Sequence, residues 1–89
     1  MLYIWDETKR AGNLAKHGVD FAAAAGFEWE TASVVPDSRR SYGETRLIAV
    51  GFIGRRLHVM VFTFREDKVR IISLRKANGR EILRYEELN

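Results

Sequence analysis

The spacing of apolar and polar positions divides the chain into a helical start, a strand-rich middle and a helical end. After the apolar run "LYIW", which predicts a short strand, the small and apolar residues share one side of a helix at about 100° per residue: Ala11, Leu14 and Ala15. The polar residues share the opposite, exposed side: Lys9, Asn13 and Lys16. We therefore expect a first helix from about residue 7 to residue 17.

Residues at both ends of this segment match the requirements of helix caps. Asp6 can accept a backbone hydrogen bond as the N-cap, and Glu7 favours the positive end of the helix dipole. Gly18 suits the left-handed position that follows many helices, and Val19 with Leu14 would complete a Schellman motif. The helix is thus predicted to end at the Lys16-His17 pair.

The next segment carries weaker signals. Asp20 can cap a second helix from Phe21 to about Glu28, in which "AAAAG" would pack closely. "TASVV" indicates a short strand before Pro36, and "PDSRRSYGE" is typical of a polar, arginine-bearing loop.

From residue 45 onward the pattern is that of an antiparallel meander. "TRLIAVGFI" and "RLHVMVFTF" flank Gly54-Arg55, a pair suited to a type II′ hairpin turn. "REDK" predicts the next turn and "VRIISLR" the third strand. Asn78 and Glu81 form a capping-box pattern that begins a last helix.

The hairpin turn predicts which residues share a face of the sheet. Pairing residue 53 with 56 and residue 64 with 69 gives a dry face that should receive the helices: Ile48, Val50, Val59, Val61, Ile72 and Leu74. The other face would be a groove floor, or would be covered by the last helix: Ala49, Gly51, His58, Met60, Phe62, Ile71, Ser73 and Arg75. This register sets His58 opposite Arg75 and directs Arg65 and Arg70 to the opposite, helix-packed face.

Composition narrows the chemistry. The chain has 89 residues, which suits one domain over 1–89, and no cysteine, which excludes disulfides and thiol nucleophiles. The two histidines lie far apart without nearby acidic residues at ligand spacing, so we expect no metal site and no cofactor. The absence of cysteine fits a cytoplasmic protein, and no apolar run is long enough to span a bilayer. We expect no signal peptide, because charges directly follow the short apolar start.

Charge favours an acidic partner. Fifteen Lys and Arg against 12 Asp and Glu give a net charge of +3, and arginine dominates from Arg39-Arg40 onward. Guanidinium groups match phosphate geometry, so RNA is a reasonable ligand, although a solvated basic surface would have the same composition.

RNA cleavage by the neighbouring 2′-OH requires a phosphate clamp and groups that transfer protons, but no metal. Arginines can form the clamp, and several residues could transfer protons: His17, His58, Lys16, Glu81 and Tyr85. His17 has two interpretations, a last-turn cation that stabilises the helix dipole or a proton donor at a phosphate. A non-catalytic RNA- or protein-binding module remains the alternative for the whole chain.

Three ordered segments resemble the BrnT family of bacterial type II toxins. These segments are "WDETKRAGNLAKHGVDF", "DSRRSYGETRLIAVG" and "VFTFREDKVRIISLRKANGREILRYEE". The resemblance implies a RelE-like α+β fold, with two N-terminal helices packed on an antiparallel meander and a C-terminal helix. It also implies an endoribonuclease toxin that blocks translation, and a cognate BrnA-like antitoxin as partner, with DNA bound only through that antitoxin.

The resemblance also suggests site residues. The first motif carries Lys9, Asn13, Lys16 and His17, and the later one carries Arg65, Arg70, Arg75 and Glu81. Catalytic arginines of RelE-like folds lie on the late strands, which favours Arg65 and Arg75, with His17 and His58 as the histidine candidates. The remaining matched residues are expected to contact RNA: Lys9, Asn13, Lys16, Arg70 and Glu81.

Overall fold

A computed structural model describes residues 1–39, 41 and 43–89, and shows an α+β fold. The chain runs through a two-residue strand, a helix, two short 3-10 helices, four further strands and a last helix. In chain order these are β1 (Tyr3–Ile4), α1 (Glu7–His17), the 3-10 helices Phe21–Gly26 and Trp29–Thr31, β2 (Ser33–Pro36), β3 (Leu47–Ile53), β4 (Arg56–Arg65), β5 (Lys68–Lys76) and α2 (Gly79–Leu88).

The five strands form one mixed sheet in the order β1-β5-β4-β3-β2. Strands β2 to β5 pair antiparallel, as the meander prediction required. Strand β1 pairs parallel with the start of β5, through Tyr3 opposite Val69 and Ile4 opposite Arg70. The sheet is therefore not purely antiparallel, because the opening strand returns to the last strand rather than to its sequence neighbour.

The predicted second α-helix is wrong. Asp20 caps as expected, since its carboxylate accepts a hydrogen bond from the Ala22 backbone N–H at 2.9 Å, but the segment is a 3-10 helix that ends at Gly26. Phe27 then forms an antiparallel bridge with Ile53, and the Glu28 N–H donates to the Phe52 carbonyl at 2.9 Å. The backbone groups of Phe27 and Glu28 therefore pair with β3 and cannot continue the helix.

Helix α1 has the predicted bounds and caps. The Asp6 carboxylate accepts a hydrogen bond from the Lys9 N–H at 3.1 Å, and Gly18 adopts a left-handed conformation with φ of 72°. The Gly18 N–H donates to the Leu14 carbonyl at 2.8 Å, which is the single bond of the αL motif. The left-handed backbone at Gly18 therefore favours glycine, as predicted. The hydrogen bond that closes the helix is that of the αL motif, whereas the prediction was a Schellman motif.

Two glycines, one within α1 and one directly after it, should respond to alanine in opposite ways. Gly18→Ala should destabilise the fold by about 1 kcal/mol, because a Cβ there finds open space but a left-handed backbone. Gly12→Ala, also in open space but at an ordinary helical position, should stabilise by about 0.5–1 kcal/mol. Thermal unfolding of both variants checks the pair, and a Gly18→Ala protein as stable as wild type would contradict the capping assignment.

A β-bulge interrupts the pairing of β4 with β5. Val61 lies opposite Ser73 and Phe62 lies opposite Ile71, so Ile72 is an extra residue without a partner. The predicted β3–β4 register is confirmed over its whole length, and the predicted start of the β4–β5 hairpin is confirmed as well. Beyond the bulge the prediction is wrong by one residue.

The bulge reverses the predicted faces of β5 beyond it. His58 lies opposite Lys76 rather than Arg75, and Met60 lies opposite Leu74 rather than Ser73. Arg75 instead lies opposite Val59, on the face predicted to receive the helices. The predicted pairing of His58 with Arg75 is therefore wrong, because the extra residue in β5 shifts the register by one residue.

The N-terminal elements cover the face opposite to the one predicted. The main core joins Phe21, Ala24 and Phe27 to sheet residues that include Ala49 and Met60. Gly51 makes this packing possible, since a Cβ there would approach the ring of Phe27 to 2.7 Å. The small residues that suggested a groove floor in fact receive an aromatic ring.

Helix α2 packs on the β-branched face instead. Ala77 and Tyr85 form a second core with Leu57 and Val59. The Tyr85 hydroxyl donates to the Thr31 carbonyl at 2.6 Å, and the Asn78–Glu81 capping box is present as predicted. The sheet is thus covered on both faces, by N-terminal elements on one and by α2 on part of the other.

Candidate functional site

Three arginines share the sheet face on which α2 packs, and we call the β4–β5 surface that carries them the arginine face. Arg65 lies on the same side of β4 as Val59, and Arg70 lies opposite Thr63 on that side. Arg70 and Arg75 are five positions apart, which would place them on opposite faces of a regular strand. The bulge at Ile72 brings both to one face and removes the conflict that strand parity had predicted.

Arg75 forms a bidentate ion pair with Glu81 from the first turn of α2. Its Nη1 and Nη2 each donate to one carboxylate oxygen of Glu81 at 2.8 Å. The hydrogen bond from Arg75 lowers the pKa of Glu81, and burial opposes this only in part. Glu81 also accepts the Asn78 N–H at 2.9 Å as part of the capping box, so one carboxylate joins the strand to the start of the helix.

The positive charge of Arg75 acts on His17, the last residue of α1. Burial lowers the pKa of His17, and the positive charges of Lys16 and Arg75 lower it further. An imidazole with a lowered pKa is neutral near pH 7 and can accept a proton. Arg75 therefore relates two other predicted site residues: it is paired with Glu81, and its charge acts on His17, while Lys16 next to His17 in the chain is exposed.

Arg39 also belongs to this neighbourhood, and sequence reasoning did not assign it to the site. Its positive charge acts on Arg75 and opposes the rise in the pKa of Arg75 that Glu81 causes. Arg39 makes a two-bond pair with the buried carboxylate of Asp37 at 2.8 Å, and Asp37 is held by its N–H bond to the Arg46 carbonyl. The only sequence signal was the arginine pair in the loop, of which Arg40, like Tyr42, lies outside the described residues.

Arg65 lies at the other end of the arginine face. It is six positions from Val59 along β4, so its backbone is about 20 Å from the position of Arg75. Its side chain is 51% exposed and pairs with Glu44 at 3.4 Å. Arg65 and Arg75 therefore share a face but are too far apart to contact the same phosphate, and Arg70 lies between them.

His58 lies on the other side of the sheet. Its side chain is buried, and its Nδ1 is 2.8 Å from the Arg56 carbonyl oxygen. The predicted catalytic histidine is thus separated from Arg75 by the thickness of the sheet. The one-residue shift at the bulge is the reason that sequence parity misplaced it.

Asn13 also differs from its predicted setting. We expected it on the exposed side of α1 with Lys9 and Lys16, but Asn13 is buried while Leu14 is 39% exposed. Helix α1 contacts β5 through a hydrogen-bonded asparagine rather than through its few apolar residues. Lys9 and Lys16 are exposed as predicted.

Within the described part of the chain, no helix combines the length and apolar character that a membrane crossing requires.

The comparison with protein families supplies the identity of the chain. A search of the curated proteins found no match. The model of the family described as "Ribonuclease toxin, BrnT, of type II toxin-antitoxin system" matches residues 5–81, a range that includes His17, the arginine face and Glu81. This range covers most of the 89 residues, and the chain therefore belongs to the BrnT family of ribonuclease toxins of type II toxin–antitoxin systems.

Proposed function

We propose that this protein is a metal-independent endoribonuclease of RelE-like fold, which cleaves RNA on the arginine face and so blocks translation and growth. One observation carries the proposal: the Arg75 guanidinium is held in a planar two-bond geometry by Glu81, and its charge acts on a half-buried histidine, His17, whose pKa is lowered. A cationic fork beside a neutral base is what 2′-OH attack on a phosphodiester requires.

Each group has a role in this reaction. Arg75 binds the scissile phosphate, because a guanidinium that holds a carboxylate with two parallel bonds can hold two phosphate oxygens in the same way. Glu81 occupies that position in the free protein, so substrate must compete with it. His17 takes the proton of the 2′-OH, and the 2′-oxygen attacks phosphorus. The bond from phosphorus to the 5′-oxygen then breaks, the 5′-oxygen takes a proton from water and leaves as a hydroxyl, and a 2′,3′-cyclic phosphate remains.

The remaining cations extend the surface along the RNA. Arg70 and Arg65 continue the arginine face away from Arg75, at distances suited to neighbouring phosphates rather than to the scissile one. Lys16 and Lys9 are exposed on α1 and extend it on the side of His17. Such contacts position RNA without selecting its sequence. His58 has no role in this scheme, because it is buried on the opposite face.

The antitoxin is proposed to inhibit by covering this surface. A groove of about 190 Å³ runs between β2 and α2, beside Glu81 and Arg84, and is lined mainly by apolar side chains such as Val35, Tyr85 and Leu88. An antitoxin segment with apolar and acidic groups would match both the groove and the arginines. DNA would be bound only through the antitoxin, and we place the protein in the cytoplasm without membrane contact.

Product chemistry tests the proposal. The purified chain, incubated with single-stranded RNA in excess EDTA, should cleave it and leave 2′,3′-cyclic phosphate ends, detected by mass spectrometry. A matched RNA with 2′-O-methyl at the cleavage position should resist, because it lacks the attacking hydroxyl. Cleavage that yields 3′-hydroxyl ends would contradict the mechanism. RNA retarded in a gel but never cleaved would favour the non-catalytic binding module.

A further inference from the structure

The side chain of Asn13 replaces a missing strand at the outer edge of β5. Its Nδ2 donates to the Leu74 carbonyl at 2.7 Å, and its Oδ1 accepts the Leu74 N–H at 3.2 Å. The same Nδ2 donates to the Val19 carbonyl at 3.0 Å, just beyond the end of α1. One buried amide thus bonds both backbone groups of a strand residue and the turn that follows the helix.

The backbone of Leu74 lacks a strand partner on this side because β1 is short. Strand β1 pairs with β5 only at Val69 and Arg70, so the second half of β5 has an open edge. Leu74 lies in that half, in the core, where unpaired backbone groups would be costly. A primary amide carries two donor hydrogens and an acceptor oxygen, which is the set needed to bond the Leu74 N–H and two carbonyls.

Asn13 also lies between two residues of the proposed site. Leu74 immediately precedes Arg75, and His17 is four positions after Asn13, on the same side of α1 and about 6 Å along its axis. The helix that carries His17 and the strand that carries Arg75 therefore meet at this amide. No other side-chain hydrogen bond described in the structure joins α1 to β5.

We propose that Asn13 is a positioning residue of the RNA-cleaving site, which fixes His17 beside Arg75 by bonding α1 to the edge of β5. This inference rests on the proposed function. It assigns Asn13 a role through the protein backbone rather than through contact with RNA, because the side chain is buried and all its polar atoms are bonded.

The charges around His17 supply a readout that does not require RNA. Lys16 on its own helix and Arg75 on β5 both oppose protonation of the ring, with Arg75 itself paired to Glu81 and near Arg39. If the end of α1 separates from β5, His17 loses burial and the influence of Arg75 together. The pKa of His17 should then rise toward its ordinary value.

The experiment compares Asn13→Ala and the milder Asn13→Ser with Val69→Ala. Val69 is a buried β5 residue in the core that contains Leu74, but it lies at the other end of the strand, opposite Tyr3 and Phe64, so its variant controls for lost stability. NMR titration of His17 in folded protein should show a raised pKa for the Asn13 variants and an unchanged pKa for Val69→Ala. In RNA cleavage, kcat should fall by about 10²-fold for Asn13→Ala with KM nearly unchanged.

The outcomes separate the two proposals. A folded Asn13→Ala or Asn13→Ser protein whose His17 titrates and turns over RNA as in wild type would overturn the positioning role. If Val69→Ala, at similar stability, raises the pKa of His17 equally, the effect is general loosening and the role is also rejected. If the wild type does not cleave RNA, the proposed function fails, while the titration still decides whether Asn13 holds His17 in place.

Discussion

Arg75→Ala should lower kcat for RNA cleavage by roughly 10²–10³ and abolish growth arrest, because it removes the guanidinium proposed to stabilise charge on the phosphate. The same change removes the bidentate partner of Glu81, so some loss of stability is expected as well. Activity must therefore be measured at a temperature where circular dichroism shows that the variant is folded. Arg75→Lys should restore only part of the rate, because an ammonium group lacks the planar fork.

Glu81→Gln is the matched control for Arg75→Ala. It weakens the same ion pair from the other side but leaves the guanidinium available, so it should lose stability without losing cleavage. Binding of RNA could even tighten, since the carboxylate that competes with phosphate is gone. If Arg75 only anchors α2, the two variants should instead lose stability and activity in parallel. A folded Arg75→Ala protein that still cleaves RNA at the wild-type rate would rule out the clamp.

The second large effect concerns His17. His17→Ala should lower kcat by roughly 10²–10⁴, the usual contribution of a general base. As a base, His17 must be neutral, so the wild-type rate should rise with pH through the pKa of His17 and then level off. Because burial, Lys16 and Arg75 lower that pKa, the midpoint should lie below the ordinary value of 6.5. The rate should therefore reach its plateau at a lower pH than it would with a histidine of ordinary pKa.

His58→Gln provides the control histidine. His58 is buried on the opposite face of the sheet, so its loss should leave the acidic limb of the pH–rate profile in place, whatever it does to stability. His17→Ala should remove that limb from the residual activity. An unchanged limb in His17→Ala, or its disappearance in His58→Gln, would reject His17 as the base.

Local features were predictable from the sequence because they depend on few neighbouring residues. Asp6, Gly18 and the Asn78–Glu81 pair all act where expected, since a cap satisfies backbone groups within one turn. The first hairpin register was equally local: Gly54 has a positive φ of 61°, and the turn that it permits fixes every pair of β3 with β4.

The site itself was less predictable, because its residues come from distant parts of the chain. Sequence motifs suggested His17, Arg75 and Glu81, and the structure pairs Arg75 with Glu81. It does so by a route that local rules could not show: one extra residue, Ile72, reverses the side on which the end of β5 presents its side chains. Arg75 thereby moves away from His58 and onto the face of Arg65 and Arg70.

Asn13 shows the same limit for helices. Periodicity placed it on a polar and therefore exposed side, which assumes that a helix packs through its apolar residues. In the folded chain an open strand edge offers unpaired backbone groups, and an amide satisfies them better than Leu14 could.

The sequence by itself determined the caps, the first hairpin and the family. Only the tertiary structure decided the bulge, the covered faces and the meeting of α1 with β5, because these depend on groups that no local pattern pairs.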